Sequence, residues 1–431
     1  MIRKNRCLHP AWLPGTFLVA LLAAGACGGE KKADEPAPAP AIAKEPARAE
    51  AAADAAPAEN AAERAARVHR DALVLDAHCD TLMRVVGDGY DLGSRNDEGH
   101  VDFPRMAAGG VDAQVFAVWV DPRSYSGRLW KRAGEMIDAL HREVGEHSER
   151  VGLAQNAAEA RELVAGGKLA AFLGVEGGYV LEDEPSRLAE LHERGVRYVT
   201  LTWWNNTSFA DGSGDEPEWH GLNELGREIV REMNRLGIVV DVSHASDETF
   251  RDVLEVSERP VIASHSCTRA LHDHHRNLSD EMLRALAKNG GVVGINFVAS
   301  FLDAEHGAAA EKLREKLKPE MERVKKRYGD PLRARKERWK LWRRRARAEL
   351  PPVSIDKVID HLEHAAKVAG VDHVGLGSDF DGFSVGPVEL GDCSRLPLIT
   401  EKLLERGFSD EDVTKILGGN FLRVFSENEG D

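Results

Sequence analysis

Five short stretches of this chain carry side chains that could share metal ions: His78-Cys79-Asp80; Glu176, within Gly174-Val175-Glu176-Gly177-Gly178; Ser243-His244; Ser264-His265; and Asp379, within Gly377-Ser378-Asp379-Phe380-Asp381-Gly382. Imidazole with carboxylate suits borderline divalent ions, zinc first, then manganese, cobalt or iron. His78 and Asp80 stand two apart, so in extended backbone both side chains point the same way and can meet one ion. A lone histidine after an apolar run is usually a cap or a satisfied polar group. Two successive runs that both end in Ser-His, together with a His-x-Asp after another, are poorly explained that way. Such a set offers hydrolysis: bound metal lowers the pKa of water, and a nearby carboxylate such as Asp379 can carry the proton. Asp76 and Asp241, just ahead of two clusters, fit equally as residues that orient ligands or as ordinary carboxylates. Cys79 and Cys267, beside ligand candidates, read as small packing residues.

The elements that must position these groups are short apolar or β-branched runs. They are Ala72–Asp76, Ala113–Val120, Ala170–Val175, Tyr198–Thr202, Val239–Val242, Val261–Ala263, Val292–Phe297 and Val374–Gly377. Between them lie segments of helical periodicity, among them Leu129–Val144, Leu222–Leu236, Glu248–Val256, Glu281–Lys288 and Ile355–Ala369. Alternating strands and helices, with the strands almost continuously apolar, predict a parallel sheet covered on both faces. Eight such units predict a (β/α)8 TIM barrel. An open doubly wound sheet is the alternative, although no Gly-rich dinucleotide-binding turn follows the first strand. In a barrel, the ends of the first, third, fifth, sixth and eighth strands open onto one face, where such folds hold their active sites.

The strings Asp76-Ala77-His78-Cys79-Asp80-Thr81, Val175-Glu176-Gly177, Asp241-Val242-Ser243-His244, Ala263-Ser264-His265-Ser266 and Gly377-Ser378-Asp379-Phe380-Asp381-Gly382 resemble the membrane (renal-type) dipeptidase family. So do His275-Arg276-Asn277-Leu278 and, near the C-terminus, Gly407-Phe408-Ser409 with Lys415-Ile416-Leu417-Gly418-Gly419-Asn420. The resemblance implies a barrel of the metal-dependent hydrolase type, two zinc ions per chain, a dipeptide substrate and a homodimer. Carried over, His78 and Asp80 hold one zinc, His244 and His265 the other, and Glu176 bridges them. Asp379 is then the acid/base carboxylate, and Arg276 grips the substrate's carboxylate. The implied activity is hydrolysis of dipeptides, C-terminal D-residues included, by a metal-bridging hydroxide. Physical chemistry agrees: two ions sharing a carboxylate can present hydroxide to a peptide carbonyl, and a planar guanidinium matches a carboxylate. Two other readings stand beside it. One is a binuclear metal hydrolase acting on an N-acyl amino acid, a lactone or a cyclic amide; the other is a non-catalytic, tethered binding lipoprotein.

One position departs from the family. After Tyr198-Val199-Thr200-Leu201-Thr202 the family commonly has a histidine that contacts substrate; this chain has Trp203, then Trp204-Asn205-Asn206. An indole donates one hydrogen bond but carries no charge. Trp203 and Asn206, the latter as replacement donor, therefore join Arg276 as expected substrate contacts.

The rest of the sequence sets the context. Arg3, Lys4 and Arg6 precede the apolar run Phe17–Ala24 and then Gly25-Ala26-Cys27, which reads as a signal peptide over residues 1–26 of the lipoprotein type, with Cys27 lipidated. The mature protein is expected to be extracytoplasmic, in the periplasm or cell envelope, and bound to a membrane by that anchor. Residues 27–66, rich in Ala, Pro, Glu and Lys, read as a disordered tether, and 67–431 as one barrel with an insertion at 303–352 between its seventh and eighth strands. A formal charge of −15 over 431 residues argues against nucleic-acid partners, and five cysteines are too few for a disulfide framework. The insertion is the exception to this acidity, with 17 Lys+Arg against 7 Asp+Glu between Glu311 and Leu350. It reads as charged helices at Lys312–Lys318 and Leu332–Leu350, broken at Pro319 and at Gly329-Asp330-Pro331, with Trp339 and Trp342 on one buried stripe. A lid, an oligomer contact, anionic lipid contact and a plain solvated excursion all suit it.

Overall fold

The computed structural model describes residues 59–429; the expected leader, Cys27 and most of the tether lie outside the described residues. Nine parallel strands appear: β1 (Leu75–Cys79), β2 (Ala113–Trp119), β3 (Val151–Leu153), β4 (Leu169–Glu176), β5 (Val196–Thr200), β6 (Val239–Asp241), β7 (Ile262–Ser266), β8 (Val292–Ile295) and β9 (Val374–Leu376). The sheet closes on itself, because β1 pairs with both β2 and β9, and β2 pairs with β4. Eight strands thus form the ring of a (β/α)8 barrel, and the open doubly wound alternative falls. The short β3 only flanks the start of β4 and was not foreseen.

Two apolar layers hold the ring. Leu75, Ala77, Ala113, Val115, Ala170, Phe172, Tyr198, Val239, Ile262 and Val292 fill its interior, plugged from below by Phe421 and Phe425 of the last helix, Asn420–Asn428. The other faces of the strands, such as Phe116, Val118, Val175, Val199 and Val240, pack against the surrounding helices. Both faces being buried is why the strands read as continuous apolar runs.

The folded part begins with an alanine-rich helix inside the stretch that composition reads as tether. Helix Ala61–Asp71 is closed by a capping box in which Asn60 accepts from the Glu63 amide and Glu63 accepts from the Asn60 amide. Residues 59–66 therefore belong to the folded unit rather than to the tether. Among the described residues no helix is long and apolar enough to cross a membrane.

The insertion between β8 and β9 forms a hairpin of two long helices, Ala304–Arg327 and Pro331–Glu349. Contrary to expectation, the first helix runs straight through Pro319. Pro319 and Glu315 are both exposed, so water can satisfy the carbonyl that proline leaves unbonded. Leu313 and Leu317 meanwhile pack on Ala346 and Trp342 and carry the helix past it. The break at Gly329-Asp330-Pro331 is real, with Asp330 capping the second helix. The two tryptophans do not share a stripe: Trp342 joins the hairpin core, whereas Trp339 is 41% exposed.

Candidate metal centre

Regular alternation alone would aim the first ligands wrongly. Leu75 and Ala77 point into the ring, so an unbroken β1 would send Cys79 inward and His78 outward. A bulge between Asp76 and Cys79 reverses this: Cys79 packs in the outer core and His78 turns inside. A second bulge, between Ala263 and Ser266 of β7, accompanies the inward turn of His265, whose ring lies 3.8 Å from that of His78. His244 is positioned differently, by a left-handed backbone (φ 70°), a conformation strained for a residue with a Cβ. Asp379 shares that conformation (φ 63°) just beyond β9.

These groups meet around Glu176 at the end of β4, which is only 3% exposed. Its Oε1 lies 2.8 Å from His244 Nε2 and 3.5 Å from His265 Nε2, and its Oε2 lies 3.5 Å from His78 Nε2. The His244 and His265 Nε2 atoms are 2.9 Å apart. On the other side of His78, Asp80 and Asp379 bring carboxylate oxygens within 4.8 Å of its ring nitrogen and of each other. All five expected metal ligands and Asp379 are thus brought to one place.

The surrounding hydrogen bonds fix which nitrogens are free. Tyr198 donates its hydroxyl to the Ala77 carbonyl (3.2 Å), so it accepts from His78 Nδ1–H (2.8 Å), leaving the His78 Nε2 lone pair bare. The tyrosine ring reaches across because position 174 is glycine; a Cβ there would stand 2.2 Å from the ring. Likewise Ser264 donates to Asp241 (2.6 Å) and accepts from His265 Nδ1–H (2.8 Å), again freeing Nε2. Asp241 also accepts from the Ser243 and Ser264 amides, and Asp76 accepts from the Ser378 amide and hydroxyl. Both aspartates therefore act through the ligands' backbones and partners, the first of the two readings the sequence left open. Tyr198 was missed; an inward tyrosine one strand away from a ligand strand is the signal that could have found it.

The donor set suits divalent metal. His78 Nε2 and Asp80 Oδ1 are buried without a hydrogen-bond partner, which is costly unless a cation completes them. Gly382 cradles the carboxylates: a Cβ there would lie 2.1 Å from Asp379 Oδ1 and 2.2 Å from Asp80 Oδ2. Without a cation, burial pushes Glu176 up to about 8. Burial first, and the Glu176 charge second, raise Asp80 and Asp379 well above the usual carboxylate range. Burial drives His244 and His265 well below the ordinary imidazole value, keeping both neutral and able to ligate.

Arg276 lies beside the cluster, 3% exposed, with Nη2 donating to the His265 carbonyl (3.0 Å) and its guanidinium over Phe301. Its Nε is buried without a partner. A buried guanidinium without a carboxylate partner is costly to keep, and its planar fork matches the geometry of a carboxylate. Trp203 packs on Trp119 (ring centroids 5.0 Å apart) and lies 6.4 Å from the His244 ring. Asn206, expected to donate to substrate, is engaged in its own loop: it donates to the Glu216 carbonyl and accepts from the Gly212 amide. The loop's backbone groups had no partner visible in the sequence, so this use could not be read there.

Comparison with known proteins decides the lineage. A model of the family "Membrane dipeptidase (Peptidase family M19)" matches residues 62–430. The chain belongs to that family. Over 296 residues it is 35% identical to the dipeptidase verJ of Clonostachys rogersoniana, a match covering 68% of this chain and 64% of that protein. The fold is similar to the crystal structure of the probable dipeptidase PvdM from Pseudomonas aeruginosa, with TM-score 0.74 and 26% identity over 85% of this chain and 98% of that one. It is also similar to a metallo peptidase from Rhodobacter sphaeroides, liganded with a phosphinate mimic of the dipeptide L-Ala-D-Ala, with TM-score 0.68 and 25% identity over 83% of this chain and 99% of that one. Membership in this metallopeptidase family implies a metal cofactor, and the cluster around Glu176 is where the fold offers one.

Proposed function

We propose that this protein is a zinc-dependent dipeptidase that binds two ions and hydrolyses the peptide bond of dipeptides, those with a C-terminal D-residue included. One observation carries the reading: five buried ligand-type side chains converge beside a buried arginine with no carboxylate partner. His78 and Asp80 would hold one ion and His244 and His265 the other, with Glu176 shared. When bound, zinc supplies Lewis acidity that polarises a carbonyl and acidifies water.

This chain's own residues do the rest. Arg276 takes the substrate's carboxylate and so fixes where the scissile bond lies. Asp379, whose proton affinity is raised by burial, is suited to accept a proton and deliver it to the leaving amine. Trp203 closes the wall where the family commonly places a histidine and contributes packing instead of charge. The likeness to a peptidase holding a phosphinate dipeptide mimic supports the substrate class. The lipid anchor at Cys27, the location in the cell envelope and the homodimer belong to the same reading and rest on the sequence.

The test is hydrolysis by metal-stripped and zinc-reloaded protein on L,L- and L,D-dipeptides, N-acyl amino acids and lactones. Zinc-dependent cleavage of dipeptides is the expected result. Cleavage of the other classes, with dipeptides untouched, replaces this reading with that of another metal hydrolase.

A further inference from the structure

Trp119 is the last residue of β2 and pairs in register with Glu176. Ala113 and Val115 point into the ring, so by alternation Trp119 points inward too, beside the Glu176 carboxylate. It is 7% exposed, and its indole N–H is buried without a partner. One side of the ring packs on Trp203. Arg335, from the second helix of the hairpin, places its guanidinium 4.7 Å from the centre of the Trp119 ring and pairs with Asp121 at 3.2 Å. Lys336 and Arg343 of the same helix pair with Asp88 (2.5 Å) and Glu98 (2.9 Å), in the segment between β1 and β2. The hairpin thus leans from its root between β8 and β9 across to the mouth of β2.

The ring order fixes what faces Trp119. Running β1, β2, β4, β5, β6, β7, β8, β9, it sets β2 opposite β7. Arg276 is tied to the carbonyl of His265 on β7. A dipeptide with its carboxylate on Arg276 and its scissile bond over the Glu176 cluster must point its amino-terminal residue at β2. Resting on the dipeptidase reading above, we infer that Trp119 and Trp203 form the pocket for the substrate's amino-terminal side chain, that this pocket selects large apolar side chains, and that Arg335 of the insertion positions Trp119 for that task. Trp119 is the specificity-determining residue; Arg335 is a positioning residue acting through it.

The test is steady-state kinetics of the zinc-loaded protein on Gly-Ala, Leu-Ala and Phe-Ala, which differ only in the amino-terminal side chain. The wild type is expected to favour Phe-Ala and Leu-Ala over Gly-Ala by about 10–100-fold in kcat/KM, the range an apolar pocket can supply. Trp119→Ala should erase most of that ratio while zinc content stays near wild type. Arg335→Ala should raise KM for Phe-Ala several-fold with kcat unchanged, and Arg335→Lys should restore part of it. A Phe-Ala to Gly-Ala ratio unchanged in Trp119→Ala overturns the pocket. An unchanged Phe-Ala KM in Arg335→Ala overturns the hairpin's part. Should Trp119→Ala fail to fold, Trp119→Phe and Arg335→Ala carry the same comparison, since both keep a ring in place. Failure of the dipeptidase reading shows itself separately, as wild-type protein that cleaves none of the three.

Discussion

The metal centre and the hairpin share one face of the barrel but are held by opposite means. At the centre the ligand residues are tied by hydrogen bonds between buried groups: His265 to Ser264 to Asp241, His78 to Tyr198 to a backbone carbonyl, Asp76 to Ser378. The hairpin is fastened largely by ion pairs, Lys336–Asp88 and Arg343–Glu98 to exposed partners and Arg335–Asp121 to a buried one, and by a small apolar cluster of its own. Buried polar networks are expensive to break and indifferent to salt, whereas exposed ion pairs are weak and screened. The face therefore joins a rigid chemical floor to a rim that can shift at little cost.

The sharpest way to break the contrast is at the floor. Glu176→Gln should leave the fold intact and abolish both metal retention and hydrolysis, measured as zinc content after dialysis and as activity. Asp379→Asn should keep its metal and lose about 10²–10⁴-fold in kcat, the span of one acid/base group; full activity at unchanged metal content removes Asp379 from that role. Asp241→Ala strands the Ser243 and Ser264 amides, so a loss of about 2–5 kcal/mol in urea unfolding is expected. Zinc affinity should fall with it by about 10–100-fold.

A pH series sharpens the same point without mutation. In the metal-free protein Glu176 titrates at about 8, above its ordinary value, so it is protonated at neutral pH. Metal must displace that proton and the one that burial favours on Asp80, so metal affinity should climb as pH rises toward and through 8, as read by competition with a chelator. Stability of the metal-free protein runs the other way. The contribution of this group is complete below the unfolded carboxylate value and is lost as pH rises through about 8. At the rim, the double variant Lys336→Ala with Arg343→Ala should cost no more than about 1 kcal/mol per pair, less still in high salt.

Much of the floor was legible in the sequence because its residues follow strands whose apolar character is unmistakable. All eight ring strands were located, and helix Ile355–Ala369 to the residue. The bulges that aim His78 and His265 were not legible, since a bulge is a property of pairing with a neighbour and leaves no mark on one strand. Trp119 was overlooked, although it stands at a strand end just as the ligands do; its place beside Glu176 only becomes visible once β2 is set against β4. Pro319 misled because local propensity forbids what the packing of Leu313 and Leu317 permits. The loop partners of Asn206 were not legible either, lying in a segment with no periodicity to read.

The seam of the ring lies between the first strand and the last, where Asp76 faces Leu376 and clasps Ser378, 302 residues away. His78 and Asp80 stand on one lip of that seam and Asp379 on the other. During synthesis, His78, Asp80 and Glu176 all precede Asp379 by more than 200 residues. The cluster of His78, Asp80 and Asp379 therefore cannot assemble in a chain that stops short of the final strand, so the clasp that completes the architecture also completes the cluster.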